Sequence, residues 1–151
     1  SLDFKTAVSL NPGLYIVNGP ISFEAQANVS GTGVTIVSSG DVTMNGKAQI
    51  NLSAGSDTTG GAIPGILYAN PSSAATLQWN GASTENLNGV FYAPNSTIKI
   101  NGNASSNGQG CLEVIAANVQ ILGNANLASN CTNSLNAIPF GSLPGAVTLV
   151  R

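Results

Sequence analysis

The chain has no histidine, and only four of its 151 residues are basic: Lys5, Lys47, Lys99 and Arg151. The first absence removes Ser-His-Asp and Cys-His nucleophile arrangements and most zinc sites. The second argues against a nucleic-acid partner, since phosphate contacts need clustered Lys or Arg. Charge of either sign is scarce at 7%, against about 25% in an average domain. Disorder needs high charge with low hydrophobicity, and a 42% hydrophobic content argues against it. Lys, Glu and Arg are few, which argues against helices. No apolar run approaches the roughly 18 residues of a membrane span, and no signal peptide is visible. An export signal or anchor would have to lie outside these residues.

What the chain has is glycine, asparagine and a repeated phrase. Val42-Thr43-Met44-Asn45-Gly46 returns as Leu77-Gln78-Trp79-Asn80-Gly81, then Ile98-Lys99-Ile100-Asn101-Gly102, then Val119-Gln120-Ile121-Leu122-Gly123. First and third positions are apolar; Thr43, Gln78, Lys99 and Gln120 stand between them. That alternation is a strand with one buried face, and the glycine supplies a turn with positive φ. A second phrase precedes each copy: Val34-Thr35-Ile36, Ile66-Leu67-Tyr68, Val90-Phe91-Tyr92 and Val114-Ile115-Ala116. A weaker third follows the glycine, as in Ala48-Gln49-Ile50-Asn51-Leu52.

A unit of several short strands repeated about every 21 to 24 residues signals a solenoid, in which each coil buries its apolar positions only by stacking on the next. The expected architecture is all-β: one domain, 1–151, folded as a right-handed parallel β-helix of about five coils. The coils are placed at 14–33, 34–65, 66–89, 90–113 and 114–135, between an N-terminal cap at 1–13 and a C-terminal tail at 136–151. Right-handedness rests on the usual hand of parallel crossovers and on the resemblance given below. Residues 53–65, SAGSDTTGGAIPG, read as a loop extruded from one coil. Ile36, Met44, Ile66, Trp79, Val90, Ile98, Ile100, Val114, Val119 and Ile121 are expected inside; Thr43, Gln78, Lys99 and Gln120 outside. In the tail, Val147 to Val150 is expected as a strand folding back along the solenoid. The competing architecture is a β-sandwich, whose strands rarely repeat a phrase in phase.

Cys111 and Cys131 are 20 residues apart, close to one period. Vertical neighbours in a solenoid lie about 5 Å apart, which suits a disulfide, and a disulfide would imply an oxidising compartment. The other reading is two buried thiols.

The six carboxylates, Asp3, Glu24, Asp41, Asp57, Glu85 and Glu113, share no strand phase. A lyase or glycosidase needs two that converge, so surface roles are expected, with Asp57 and Glu85 in loops. Gly55-Ser56-Asp57-Thr58-Thr59-Gly60-Gly61 lacks the Lys-Ser/Thr ending of a phosphate loop. Tyr68, Trp79 and Tyr92 could line a sugar-binding strip, yet each takes an inward phase and is expected in the core. Thr35, Thr43 and Gln78 point outward without forming a file of one residue type, as an ice-binding face would. No catalytic set, cofactor site or metal site is expected.

Several phrases taken together, LNPGLYIVNGPISF at 10–23, GTGVTIVSSGDVTMNGKAQINLSA at 31–54, GILYAN at 65–70, LNGVFYAPNSTIKINGNA at 87–104 and CLEVIAANVQILGNANL at 111–127, resemble the C-terminal region of TadG-like proteins of bacterial tight-adherence (Flp) pilus systems. The resemblance implies an exported β-helical module on the envelope or cell surface, without known catalysis. It also implies that Cys111 and Cys131 are the family's late cysteine pair. The expected function is therefore a non-enzymatic structural or adhesive module. Its expected partners are other pilus or envelope proteins, with surface glycans and self-association as further expectations. A carbohydrate-binding or carbohydrate-acting β-helix and a self-polymerising fibre subunit are the alternatives.

Overall fold

The structure is a computed structural model describing residues 1–80, 84–103, 105–106, 110–125, 129 and 131, with the backbone alone at 84, 105 and 106. Its chain winds into a parallel β-solenoid of about five turns, with no α-helix among the described residues. The expected tail strand, Val147 to Val150, lies outside the described residues.

The first turn contains β1 (Leu2–Phe4), β2 (Ala7–Leu10) and β3 (Gly13–Val17). The second contains β4 (Ile21–Phe23), β5 (Asn28–Thr32) and β6 (Val34–Ser38), and the third β7 (Val42–Met44), β8 (Gln49–Ser53) and β9 (Ile66–Ala69). After β10 (Thr76–Trp79), β11 (Thr84–Gly102) runs through all three sides of the solenoid in one strand. β12 (Ser105–Ser106) and β13 (Leu112–Gly123) follow. Residues 2–10 thus form rungs of the stack themselves.

Three columns of parallel strands result. The first stacks β1, β4, β7, β10, β11 and β13, the second β2, β5, β8, β11 and β12, and the third β3, β6, β9, β11 and β13. The repeated phrase builds the first column in strict register: Leu2, Ile21, Val42, Leu77, Ile98 and Val119 form one interior file. Phe4, Phe23, Met44, Trp79, Ile100 and Ile121 form the next. Phe4 stacks on Phe23 at 4.8 Å, Tyr68 on Phe91 at 5.2 Å, and Trp79 meets Phe91 edge-on at 5.9 Å. Each fully buried aliphatic side chain in these files contributes about 1.5–3 kcal/mol.

Ile36, Met44, Trp79, Val90, Ile98 and Ile100 are buried as expected, and Ile66 and Val114 partly so. Val119 and Ile121 depart from expectation: they continue the interior files but are 48% and 51% exposed. They stand on the last described rung, where among the described residues a strand stacks on one side only. Thr43, Gln78 and Lys99 point outward half-covered by their neighbours, and Gln120 is exposed.

Two glycines show why the turns need them. Gly46 closes the Asn45-Gly46 turn with φ +62°, a conformation glycine enters without steric cost. At Gly40 a Cβ would stand 2.5 Å from the backbone of Gly19 and Pro20, one turn below. Beside the first column, asparagines bond up the stack, Asn101 Nδ2 to Asn80 Oδ1 at 3.0 Å and Asn80 Nδ2 to Asn45 Oδ1 at 3.4 Å. Asn86 Nδ2 reaches Asn51 Oδ1 at 3.2 Å in the second column.

Candidate interaction surface

Each column presents its outward file differently. On the first the file reads Asp3, Ser22, Thr43, Gln78, Lys99 and Gln120, a polar face of mixed charge. On the second it includes Ser9, Ser30, Asn51 and Asn86. The third column differs. Its outward file is Ile16, Val37, Ala69, Tyr92 and Ile115, apolar on all five rungs. Ile16 is 67% exposed, Tyr92 38% and Ile115 39%. Four rung spacings make this strip about 19 Å long. Val37 is partly covered and Ala69 only 9% exposed, so the exposed apolar area lies toward the two ends of the file; apolar residues aligned on one face in this way make it a candidate contact surface.

The sequence reading placed Tyr92 inside, and the structure corrects this. Between Val90 and Phe91 the pairing of β11 with β9 slips, so that Val90 faces Ile66 while Phe91 faces Tyr68. Phe91 therefore takes the interior and Tyr92 is turned out beside Ala69. Tyr68 and Trp79 are buried, as read. The strip was missed because strict alternation carried Val90 and Tyr92 into one phase; aligning the bulky ring of Phe91 with Tyr68 would have revealed it.

The extruded loop covers the other outward part of the third column. Thr35, expected to be exposed, is fully buried beneath it. Its Oγ1 accepts from the Ile63 N–H at 2.9 Å and donates to the Ile66 carbonyl at 2.8 Å. The loop carries a short 3₁₀ turn, Thr59–Gly61. Before that turn the Thr59 N–H donates to Asp57 Oδ1 at 3.0 Å, which holds this exposed carboxyl below the ordinary aspartate range.

Beside the N-terminal end of the strip lies a cleft of about 140 Å³, whose lining includes Ile16, Val37, Ser38, Asn70, Pro71 and Ser73. Asn70 Oδ1 accepts from the Ser73 hydroxyl at 2.6 Å and from its N–H at 3.1 Å. Ser38 and Tyr68 share a hydroxyl–hydroxyl bond of 2.9 Å. Burial pushes the Tyr68 phenol above its ordinary value near 10, opposed by that bond and by the nearby Asn70 amide. Asn70 Nδ2 is itself buried and makes no hydrogen bond of good geometry.

The remaining carboxylates do not converge. Asp3 and Glu113 are exposed, and Glu24 accepts from the Ser22 hydroxyl at 2.8 Å. Asp41 Oδ1 accepts from the Thr76 N–H at 2.8 Å. Glu85 is a correction: read as a surface loop residue, it is 1% exposed on β11, in the file of Val29 and Ile50. It lies there because β11 starts at Thr84, three residues after the phrase ends, and pairs at once with β8.

Cys111 and Cys131 form a disulfide, with Cα atoms 4.4 Å apart. The Glu113 carboxylate lies within 4.8 Å of both sulfurs, which are spent on each other as metal ligands. Among the described residues no helix is long and apolar enough to cross a membrane.

No curated protein and no solved structure matches the chain. One family matches residues 13–128, from the first residue of β3 to beyond β13, and so includes the whole apolar strip. The chain belongs to that family, described as Domain of unknown function (DUF7305).

Proposed function

We propose that this chain is a non-enzymatic, extracytoplasmic structural or adhesive module of a bacterial pilus or cell-surface appendage, and that the strip Ile16–Val37–Ala69–Tyr92–Ile115 docks it onto another envelope protein. The observation that carries the reading is the strip itself: an apolar file in register on a solenoid whose other outward files are polar. The disulfide agrees with an oxidising compartment, and the resemblance to TadG-like proteins supplies the appendage. Carbohydrate binding is a second reading, favoured only by the serine-lined cleft at Asn70.

The test is fractionation of the source cells with thiol labelling. The chain should be recovered outside the cytoplasm with Cys111 and Cys131 oxidised. Ile16→Lys combined with Tyr92→Lys should release it from the envelope fraction without altering its melting. Reduced protein in the cytoplasm, or retention indifferent to the double variant, would overturn the reading. Sugar density in the Asn70 cleft of a soaked crystal would favour the second one.

A further inference from the structure

Between Lys99 and Arg151 the chain carries one charged residue, Glu113, and its two cysteines, Cys111 and Cys131, fall in the same interval. The fold brings the three together: a Glu113 carboxylate oxygen lies within 4.8 Å of both sulfurs. Cys111 immediately precedes β13 and Glu113 is the second residue of that strand. They stand two residues apart, the spacing that sends side chains of an extended chain to one side.

The surroundings hold the group in place and leave the charge standing. The Cys111 N–H donates to Asn88 Oδ1 at 3.2 Å, and its carbonyl accepts from the Gly89 N–H at 2.8 Å. Glu113 is in register with Val90 on β11, an apolar neighbour that does not offset a carboxylate.

We propose that Glu113 selects the thiols that can open or remake the Cys111–Cys131 staple, admitting neutral and cationic ones and turning away anionic ones. A protein that exchanges disulfides with this chain would accordingly present an uncharged or basic surface around its reactive cysteine.

The argument is electrostatic. A disulfide opens when a thiolate attacks one of its sulfurs. Cys111 is 7% exposed, so attack falls on Cys131. A bond forms between the incoming sulfur and Cys131 Sγ as the Cys131–Cys111 bond breaks. Its electron pair leaves on Cys111 Sγ, which then takes a proton from water. A second thiolate of the reagent attacks the mixed disulfide, leaving the reagent oxidised and the chain as a dithiol.

Throughout the first step about one negative charge is shared by three sulfurs, and two of these lie within 4.8 Å of the carboxylate. At that separation like charges slow the exchange about fourfold in the dielectric of bulk water, and further where protein displaces water. Charge carried elsewhere on the reagent adds to this repulsion or relieves it. The same barrier governs closure, which is the reverse reaction. The Ser129 hydroxyl is 3.3 Å from Cys131 Sγ but donates to the Leu112 carbonyl at 2.9 Å, so it does not compensate the carboxylate.

The experiment follows opening of the staple in the full folded chain at low ionic strength, where charges are least screened. Three thiols of graded charge are compared: cysteamine, 2-mercaptoethanol and mercaptoethanesulfonate. Each rate is divided by the rate of the same reagent on hydroxyethyl disulfide, which removes differences in intrinsic reactivity. In the unmodified chain the corrected rates should fall in that order and span at least about fivefold. Glu113→Gln should speed opening by 2-mercaptoethanol about fourfold or more and shrink the span to less than about half. Tris(hydroxypropyl)phosphine, a neutral reductant that brings no charge to the sulfurs, should open both chains at similar rates. An unmodified chain indifferent to reagent charge would overturn the proposal, as would a Glu113→Gln chain that keeps the full span. Equal acceleration of the phosphine and the thiols in Glu113→Gln would mean that the substitution merely loosens the coil, and would overturn it too.

Discussion

Glu85 stands on the rung beside Ile50, in a file that runs from Val8 through Val29, and is as buried as Val29 and Ile50. The family of apolar rungs therefore accepts one carboxylate. Glu85→Lys would bring a longer, cationic side chain into the same space. Loss of roughly 3 kcal/mol or more is expected, on the scale for miscompensated buried charge. Gln78→Lys on the outward file should stay within about 0.5 kcal/mol. Urea unfolding of the two variants side by side measures the contrast.

The Tyr68 phenol sets a limit on alkaline stability. Its pKa is raised in the folded chain because burial disfavours the phenolate. The contribution is thus fully present below the unfolded value near 10 and is lost as pH rises through the higher folded value. Tyr68→Phe keeps the ring against Phe91 and removes the titration. It should be slightly less stable at neutral pH, where the Ser38–Tyr68 hydroxyl bond is lost and Ser38 keeps only the Gly40 carbonyl, and should fall less steeply above pH 10. Melting curves from neutral to strongly alkaline pH test the sign.

Gly40 allows two turns to approach. A methyl group there would meet the Gly19–Pro20 backbone at 2.5 Å, and backbone cannot rotate out of the way as a side chain can. Gly40→Ala should cost about 2 kcal/mol or more by overpacking. An unchanged denaturation midpoint would mean that the turns separate without cost.

The Cys111–Cys131 staple closes a loop with a sequence separation of 20. Chain entropy values such a loop at about 3 kcal/mol, which corresponds to roughly 6–12 °C in Tm for a chain of this size. Replacing both cysteines with serine, or adding reductant, should lower Tm by that amount. The same reductant should leave the melting of the double-serine variant unchanged, which separates the staple from general effects of thiols.

The sequence disclosed the solenoid because the first column obeys one rule on every rung. Its phrase alternates, ends near a glycine, and returns with the period of the turn, so Met44, Trp79 and Ile100 could be stacked on paper. Tyr92 was misplaced for a physical reason: a register slip exchanges the faces of the residues that directly follow it, and nothing in Val90-Phe91-Tyr92 announces the slip. Glu85 was misread because charge was taken as a sign of exposure, while its pairing with Ile50 is decided by how β8 and β11 align. Thr35 was placed correctly in the strand; what hides it is a loop that arrives from 28 residues away. The apolar strip could not be read without the slip, since it exists only once Tyr92 has been turned outward.

The extruded loop between β8 and β9 leaves Ser53 and returns at Ile66 without disturbing the second column, where β11 stacks on β8 in unbroken register through Leu87; the slip of β9 against β11 falls where the loop rejoins the third column. Growth of the chain at this point is sideways growth. Lengthening a loop adds only about 0.6 kcal/mol of closure entropy for each doubling, and the contacts that seat it on Thr35 come from Ile63 and Ile66, well after its exposed tip at Ser56 and Asp57. The solenoid can therefore carry a graft. A peptide epitope or a small folded domain inserted between Ser56 and Asp57 would project from the flank, leaving the ladder, the staple and the apolar file as they are.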